Sequence, residues 1–464
     1  MQNLEPVKFD LDLIKKYDKS GPRYTSYPTA VEFHSGFTAE DYIKTAAATN
    51  QEPEPKALSL YFHIPFCDTV CFYCGCNKIA TKDRSKSPPY LARLYKELQL
   101  QSDLFDNSRV VKQLHWGGGT PTFLNHDEIK ALMHKTRKAF NLLGDDTGEY
   151  SIEIDPREAT SATIELLRAE GFNRMSLGLQ DFDPRVQLAV NRIQTEEQTF
   201  SVLNAARNQG FHSISIDLIY GLPHQSVKSF SKTLEKVLQI KPERLSVFNY
   251  AHLPQLFKPQ RRINEQDLPS PEQKLDILQS TMQILGDAGY VYIGMDHFAL
   301  PDDELALAQA KGSLYRNFQG YSTHKECDLI GLGVSSISMV GNCYAQNVKT
   351  LDEYEAKIDS TDLAVFRGIE LTSDDIIRRE VITEIICNFK LDFSAIEAKY
   401  QIDFASYFAP ELNDLTDMQQ DGLLQVNGKI LTVLPGGRLL VRNICMVFDK
   451  YLRTKSSSGF SKVI

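Results

Sequence analysis

The chain has 464 residues, 51 Lys and Arg against 60 Asp and Glu for a formal net charge of −9, 42% hydrophobic and 24% charged residues, and 8 cysteines. That length allows a sizeable core over two or three domains, although an α/β barrel can keep about 250 residues in one unit. An acidic balance with no Lys/Arg stripe argues against nucleic-acid binding carried by charge, and no run approaches the roughly 18 apolar residues of a membrane span.

In chain order, the first 50 residues show no regular period. Lys8, Asp10, Asp12, Lys15 and Lys16 stand where a secretion leader needs an apolar core, so a cytoplasmic protein is expected, with no membrane and no nucleic-acid partner. The stretch Pro22-Arg23-Tyr24-Thr25-Ser26-Tyr27-Pro28-Thr29 is too aromatic for a disordered tail and reads as an arm that docks on something. Beyond it, strand-like runs over 58–64, 112–116, 150–155, 174–179, 213–219 and 245–250 alternate with amphipathic stretches over 90–104, 129–142, 162–170, 196–209, 226–238 and 273–288. Gly171, Gly210 and Gly289 follow helix patterns just before a strand, as expected of helix C-terminal turns. Six βα units in succession imply a parallel sheet with right-handed crossovers. Polar or glycine residues stand at all six strand ends: the cysteine cluster, Gly117-Gly118-Gly119-Thr120-Pro121, Glu153 and Asp155, Gln180, Asp217, and Asn249-Tyr250. A barrel gathers all six at one rim, whereas an open doubly wound sheet gathers only the loops at its switch point, so an α/β partial barrel is expected.

After Leu371 the alternation stops. Helices over 374–389 and 394–400, a hairpin over 425–435 turning at Asn427-Gly428, and a final helix over 438–452 suggest a small, mostly helical domain resembling a winged helix. Its mixed charges favour a packing lid over DNA binding. The expected organisation is an arm over 1–50, a barrel over 51–370 and a C-terminal domain over 371–464, with a Ser-rich tail after Lys455.

Four of the eight cysteines, Cys67, Cys71, Cys74 and Cys76, fall within ten residues, and in a reducing compartment such a cluster binds metal or does redox chemistry more often than it forms disulfides. Cys327, Cys343, Cys387 and Cys445 are scattered and read as small buried hydrophobes. Cys67-x3-Cys71-x2-Cys74 sets three thiols in one loop straight after a strand. A four-iron cube normally takes four thiolates, so three would leave one iron free for a chelating guest. A structural zinc is the alternative, though it favours paired Cys-x2-Cys knuckles set apart.

This spacing, with Tyr73 just before the third cysteine, resembles the radical S-adenosylmethionine superfamily. Together with Tyr61-Phe62-His63-Ile64-Pro65-Phe66-Cys67, Cys76-Asn77-Lys78, Gly117-Gly118-Gly119-Thr120-Pro121-Thr122, Glu153-Ile154-Asp155-Pro156-Arg157, Gln180-Asp181-Phe182, Asn191-Arg192, 217–223 and 317–321, it makes the chain from about Pro22 onward resemble the oxygen-independent coproporphyrinogen III oxidase family. The resemblance implies a partial (β/α)6 TIM-like barrel with one 4Fe-4S cluster held by Cys67, Cys71 and Cys74, Cys76 being no ligand. Two S-adenosylmethionine molecules are implied. Tyr61, Tyr73, Gly118, Glu153 and Ile337 would line the first, which chelates the open iron, while Gly119, Thr120, Gln180, Arg192, Asp217 and Ala251 would line the second. The chemistry agrees: glycines let backbone approach a ligand, Glu153 and Asp217 can accept from an ammonium or ribose hydroxyl, and Arg192 can pair with a carboxylate.

The resemblance further implies that catalysis depends on Tyr61, Glu153, Phe318, Gln319 and Ile337, with Arg23 and Tyr24 also near the substrate. Two propionates of coproporphyrinogen III would become vinyl groups, giving protoporphyrinogen IX, through a 5′-deoxyadenosyl radical. A reduced donor protein such as a flavodoxin would supply electrons to a monomeric enzyme. Arg23 is expected to pair with one propionate as the arm closes over the substrate. Two rival readings remain: a haem chaperone of the same fold, whose members usually lack a cysteine at the Cys76 position and are shorter at the N-terminus, and a zinc-binding scaffold.

Overall fold

The computed structural model describes residues 6–454, which fall into two compact units; the Ser-rich tail lies outside them. The larger unit comprises Phe33–Ile284 and Glu326–Glu370. Its parallel strands are β1 (Ala57–Ile64), β2 (Val110–Gly118), β3 (Glu149–Ile154), β4 (Arg174–Gln180), β5 (Ser213–Tyr220) and β6 (Arg244–Asn249), joined by helices over Ser87–Ser102, His126–Ala139, Ser161–Ala169, Glu196–Asn208 and Val227–Ile240. This is the partial (β/α)6 barrel expected from the alternation. Asn125, Thr160, Thr195 and Ser226 each open a helix by accepting from a backbone N–H of its first turn, which sets where each crossover begins. Gly171 (φ +92°) and Gly210 (φ +72°) end two of them in the left-handed conformation that glycine alone adopts freely.

Four more strands extend the sheet: β7 (Cys327–Leu332), parallel to β1, and then β8 (Ile337–Val340), β9 (Cys343–Asn347) and β10 (Val365–Glu370), each antiparallel to its neighbour. The order within this unit is β6-β5-β4-β3-β2-β1-β7-β8-β9-β10. Side chains alternate along each strand. Leu60, Phe62, Leu114, Trp116, Ile152, Leu177 and Ile216 are wholly buried in the core. The alternate positions Tyr61, His115, Ser151, Glu153, Ser176 and Asp217 are half-buried and polar. Register pairs Tyr61 with His115, His115 with Ser151, and Glu153 with Ser176, so these residues share one polar face.

The smaller unit comprises the N-terminal residues to Glu32, Leu285–Lys325 and the chain from Leu371. It contains the hairpin Tyr315–Asn317/Gly320–Ser322, the helices Ser373–Asn388 and Phe393–Tyr400, and a three-stranded antiparallel sheet of Lys390–Asp392, Ile430–Val433 and Leu424–Asn427. Phe393 stacks on Phe404 at 4.0 Å, and Phe408 bridges Phe404 to Phe448 at 4.7 and 5.5 Å, giving the unit its own aromatic core.

Two expectations are corrected. The first 50 residues are not without periodic structure, since Leu11–Tyr17 and Ala39–Thr49 are helices. The second starts at a Thr38/Asp41 capping box and buries Tyr42, Ala46 and Thr49, a helical spacing that its run of small alanines conceals. The final helix is two, Val441–Val447 and Lys450–Thr454, because Asp449 Oδ1 accepts from the Tyr451 and Leu452 N–H groups (3.0 and 3.4 Å) and starts a new turn. Among the described residues no helix is long and apolar enough to cross a membrane.

Candidate active site

The cysteine loop leaves the end of β1 and returns to it. Phe66–Cys67 pairs with Ile79–Ala80, and the Ile79 and Thr81 N–H groups donate to the Pro65 and Cys67 carbonyls at 2.7 and 2.8 Å, closing the loop at its base. Segments after β4 and β6 fix its body. Phe72 N–H donates to Val190 O (2.9 Å), Asn191 Nδ2 to Val70 O (2.8 Å), and Gln260 Nε2 to both Tyr73 O (2.9 Å) and Ala251 O (3.3 Å). Thr120 Oγ1 lies 3.5 Å from Cys67 Sγ, and Arg157 Nη2 and Arg192 Nη1 lie 3.6 and 3.5 Å from Cys71 Sγ. Burial pushes the Cys67 thiol up to about 11, whereas the hydrogen bond from Cys76 and the charge of Lys78 bring Cys74 down to about 5. Lys78 Nζ also donates to Cys74 O at 3.1 Å. Iron binding would deprotonate such thiols.

Among the described residues no three of His, Cys, Asp and Glu converge as they would around a single ion.

The glycine triplet closes the adjoining wall. Gly119 N–H donates to Ile64 O (2.8 Å) and Thr120 N–H to Phe66 O (2.7 Å). A Cβ on Gly119 would fall 2.6 Å from Phe66 O and 2.7 Å from Pro65 C, so a side chain there would push the two loops apart. Gly118 has φ +110°, and a Cβ on it would strike the His63 ring. Glu153 Oε2 accepts from Gly118 N–H (3.2 Å) and Oε1 from His115 Nε2 (3.3 Å). Burial opposes its ionisation, yet His115 and the Gly118 N–H prevail and hold its pKa below the ordinary value. Tyr61 stacks on His115 (centroids 5.9 Å) and its hydroxyl meets His63 Nδ1 at 3.1 Å.

Further along the polar face, Asp217 Oδ2 accepts from Ser176 Oγ (3.0 Å), and burial with the Glu153 charge raises its pKa to about 6. Arg192 is buried, donating to Asp155 Oδ2 (2.8 Å) and to the Gly178 carbonyl. Asp155 also takes Arg157 Nη2 at 2.7 Å, and although burial opposes it, the two guanidiniums bring its carboxyl down to about 2. Gln180 Oε1 and Asn249 Oδ1, the last residues of β4 and β6, and Arg192 Nε, beyond the helix Pro184–Ala189 that follows β4, are buried with no partner among the described residues, which suits a polar ligand there.

The structure therefore brings together Cys67 with Thr120, Cys71 with Arg192, Glu153 with Gly118, Gly119 with the base of the cysteine loop, and Tyr73 with Ala251 through Gln260. Ile337 lies on β8 against Gly331, whose Cβ would fall 2.7 Å from Ile337 O. Arg23, Tyr24, Phe318 and Gln319 belong to the smaller unit. There Arg23 pairs with Asp296, not with an open carboxylate site, and Tyr24 donates to Asp449 Oδ2 at 3.0 Å. Sequence reasoning missed Gln260, His115 and Ser176. The latter two were detectable from period-two alternation, since each shares a face with a residue that was singled out; Gln260 carried no signal.

A cysteine loop at the ends of six parallel strands defines a radical S-adenosylmethionine enzyme, and a family model described as the Radical SAM superfamily matches residues 61–237, with a HemN C-terminal domain over 371–440. The oxygen-independent coproporphyrinogen III oxidases of Pseudomonas aeruginosa and Escherichia coli are 54% and 53% identical over 461 and 463 residues, covering 99% and 100% of this chain and 100% of each relative. A solved structure of coproporphyrinogen III oxidase (HemN) from Escherichia coli, described as a radical SAM enzyme, superposes with a TM-score of 0.92 at 52% identity, covering 97% of this chain and 100% of that one. The chain belongs to the oxygen-independent coproporphyrinogen III oxidase family. Membership implies a 4Fe-4S cluster and S-adenosylmethionine.

Proposed function

We propose that this protein converts two propionate side chains of coproporphyrinogen III to vinyl groups without oxygen, giving protoporphyrinogen IX for haem synthesis. The observation that carries the reading is the loop over 67–80, whose Cys67 and Cys71 thiols each meet donors from segments that follow other strands. Cys67, Cys71 and Cys74 would hold the 4Fe-4S cluster, leaving one iron open. Tyr61, Tyr73, Gly118, Glu153 and Ile337 would seat one S-adenosylmethionine, and Gly119, Thr120, Gln180, Arg192, Asp217 and Ala251 a second. Held there, the cluster and S-adenosylmethionine would supply one-electron reduction and a carbon-centred radical able to take a hydrogen from a propionate side chain, and an external electron acceptor would take up the electron left when carbon dioxide is lost.

The chain's own residues position and exclude. Glu153, ionised and fixed by His115 and Gly118, offers acceptor oxygens for an ammonium or hydroxyl; Gly118 and Gly119 let backbone approach the ligand; Arg192 and Arg157 bring positive charge to Cys71. A reduced flavodoxin-type protein would deliver electrons to a monomer. The test is anaerobic: protein reconstituted with iron and sulfide should turn brown, release 5′-deoxyadenosine and form protoporphyrinogen IX with two carbon dioxides per substrate. Cys67→Ala, Cys71→Ala and Cys74→Ala should lose iron, and Cys76→Ser should retain it. An intact cluster that cleaves S-adenosylmethionine and leaves coproporphyrinogen untouched would defeat the oxidase reading and favour a haem chaperone.

A further inference from the structure

The smaller unit carries a buried guanidinium, two of whose nitrogens have no hydrogen-bond partner among the described residues. Arg316 lies on the hairpin Tyr315–Asn317/Gly320–Ser322, directly across from Tyr321, and is only 7% exposed. Its guanidinium sits 4.7 Å from the Tyr321 ring centroid, while Nε and Nη1 have no hydrogen-bond partner among the described residues. At the turn of the same hairpin, both side-chain atoms of Gln319 are likewise buried without a partner, although its N–H is tied to Asn317 Oδ1 at 2.9 Å.

Taking a guanidinium out of water is costly unless an anion or acceptors replace the lost hydration, and an aromatic face offsets only part of that. Three other charged side chains of the unit are engaged elsewhere. Arg442, 2% exposed, donates to the Gly21 and Pro22 carbonyls; burial foremost, with the like charge of Arg316 contributing, pulls its pKa down to about 10. Asp296 is engaged by Arg23 and Asp449 by Tyr24. Donors with no acceptor among the described residues, on a hairpin whose next residues are Phe318 and Gln319, describe half of a carboxylate site.

We propose that Arg316 anchors a propionate carboxylate of the tetrapyrrole substrate, with the Gln319 amide as second donor. The assignment rests on the oxidase reading for the identity of the carboxylate but not for its chemistry. Arginine suits the task because its planar fork of donors matches the two oxygens of a carboxylate. Tyr321 holds the fork in place between turnovers.

The experiment uses reconstituted full-length protein and two fluorescent probes: coproporphyrin III, which keeps all four propionates, and its tetramethyl ester, which has the same ring and no charge. Arg316→Met should weaken coproporphyrin binding about tenfold or more and leave ester binding unchanged. Iron content and substrate-free 5′-deoxyadenosine formation should hold, and the variant should melt no lower than wild type, because it discards a buried unpaired charge. Arg316→Lys should recover part of the affinity. Unchanged coproporphyrin binding by Arg316→Met overturns the inference. So does equal loss of both probes, or a fall in melting temperature in both variants, since either outcome marks a packing role. Wild-type protein that binds coproporphyrin through Arg316 yet makes no protoporphyrinogen would sink the oxidase reading alone and leave the carboxylate site standing.

Discussion

Asp155 governs the charge around the cysteine loop, although it touches no thiol. Its carboxylate receives Arg157 and Arg192 at once, and those guanidiniums in turn face Cys71 Sγ. Hydrogen bonds to cluster sulfurs are among the determinants of cluster potential, so the carboxylate aims the donors that would tune it. Asp155→Asn keeps the shape but leaves Arg192 with a neutral partner, which should cost about 2 to 3 kcal/mol of stability. The pH dependence has a definite sign. Folding lowers the carboxyl from 3.8 to about 2, so its contribution is fully present above about pH 4 and is lost as pH falls toward 2. The stability gap between wild type and Asp155→Asn, read from denaturant midpoints, should therefore be widest near neutrality and narrow in acid. A gap that stays constant from pH 6 to pH 3 would remove the ion pair as its cause. The spacing of the cysteines was plain in the sequence, whereas this pairing was not. Asp155 and Arg192 were visible only as members of motifs, because partners on different strand ends leave no periodic signal.

At the scale of elements, legibility followed the uniformity of each strand. The six parallel strands are apolar runs between capped helices, and each was found to within a few residues. β7 was missed although all six of its residues are buried, because its run is interrupted by Asp328. That charge is neutralised by Arg109, 2.5 Å away and more than two hundred positions earlier, where no local reading could find it. Its successors β8, β9 and β10 pair antiparallel, although the helix Leu351–Asp359 joins β9 to β10, and so fell outside the parallel βα pattern. Glycines give a sharper test of what an element needs. Gly119 does not require a positive φ; it requires an absent Cβ, since that atom would meet the Pro65 and Phe66 backbone. Gly119→Ala should therefore cost about 1 to 3 kcal/mol through overpacking and lower iron retention by separating the glycine turn from the cysteine loop. Gly210→Ala is the control. Its cost is conformational, about 1 kcal/mol at φ +72°, with nothing within 4 Å to clash. Iron titration should show loss in the first variant alone; equal retention in both would mean the turn does not shape the loop.

At the scale of the whole molecule, the arm changes meaning. As a sequence it looked like a cover that closes over the substrate, but in the structure it is part of a core. Tyr17, Tyr24 and Tyr27 are buried within the smaller unit. Tyr24 donates to Asp449, Arg442 to the Gly21 and Pro22 carbonyls, and Asn443 Nδ2 to Tyr17 O at 2.8 Å. Deleting residues 1–30 removes three aromatic side chains, each worth roughly 1.5 to 3 kcal/mol of burial, and strips a buried guanidinium of its acceptors. The sum approaches the whole stability of an ordinary domain, roughly 5 to 15 kcal/mol. The truncated chain should thus lose structure over 371–454, read as rapid proteolysis there by mass spectrometry, and oxidase activity should vanish with it. The barrel strands keep their own core, so iron content and uncoupled S-adenosylmethionine cleavage should persist, with 57–250 still protected. Truncated protein that resists protease over 371–454 as well as the full chain does would show that the arm's buried tyrosines and carbonyls are dispensable to the unit they fill.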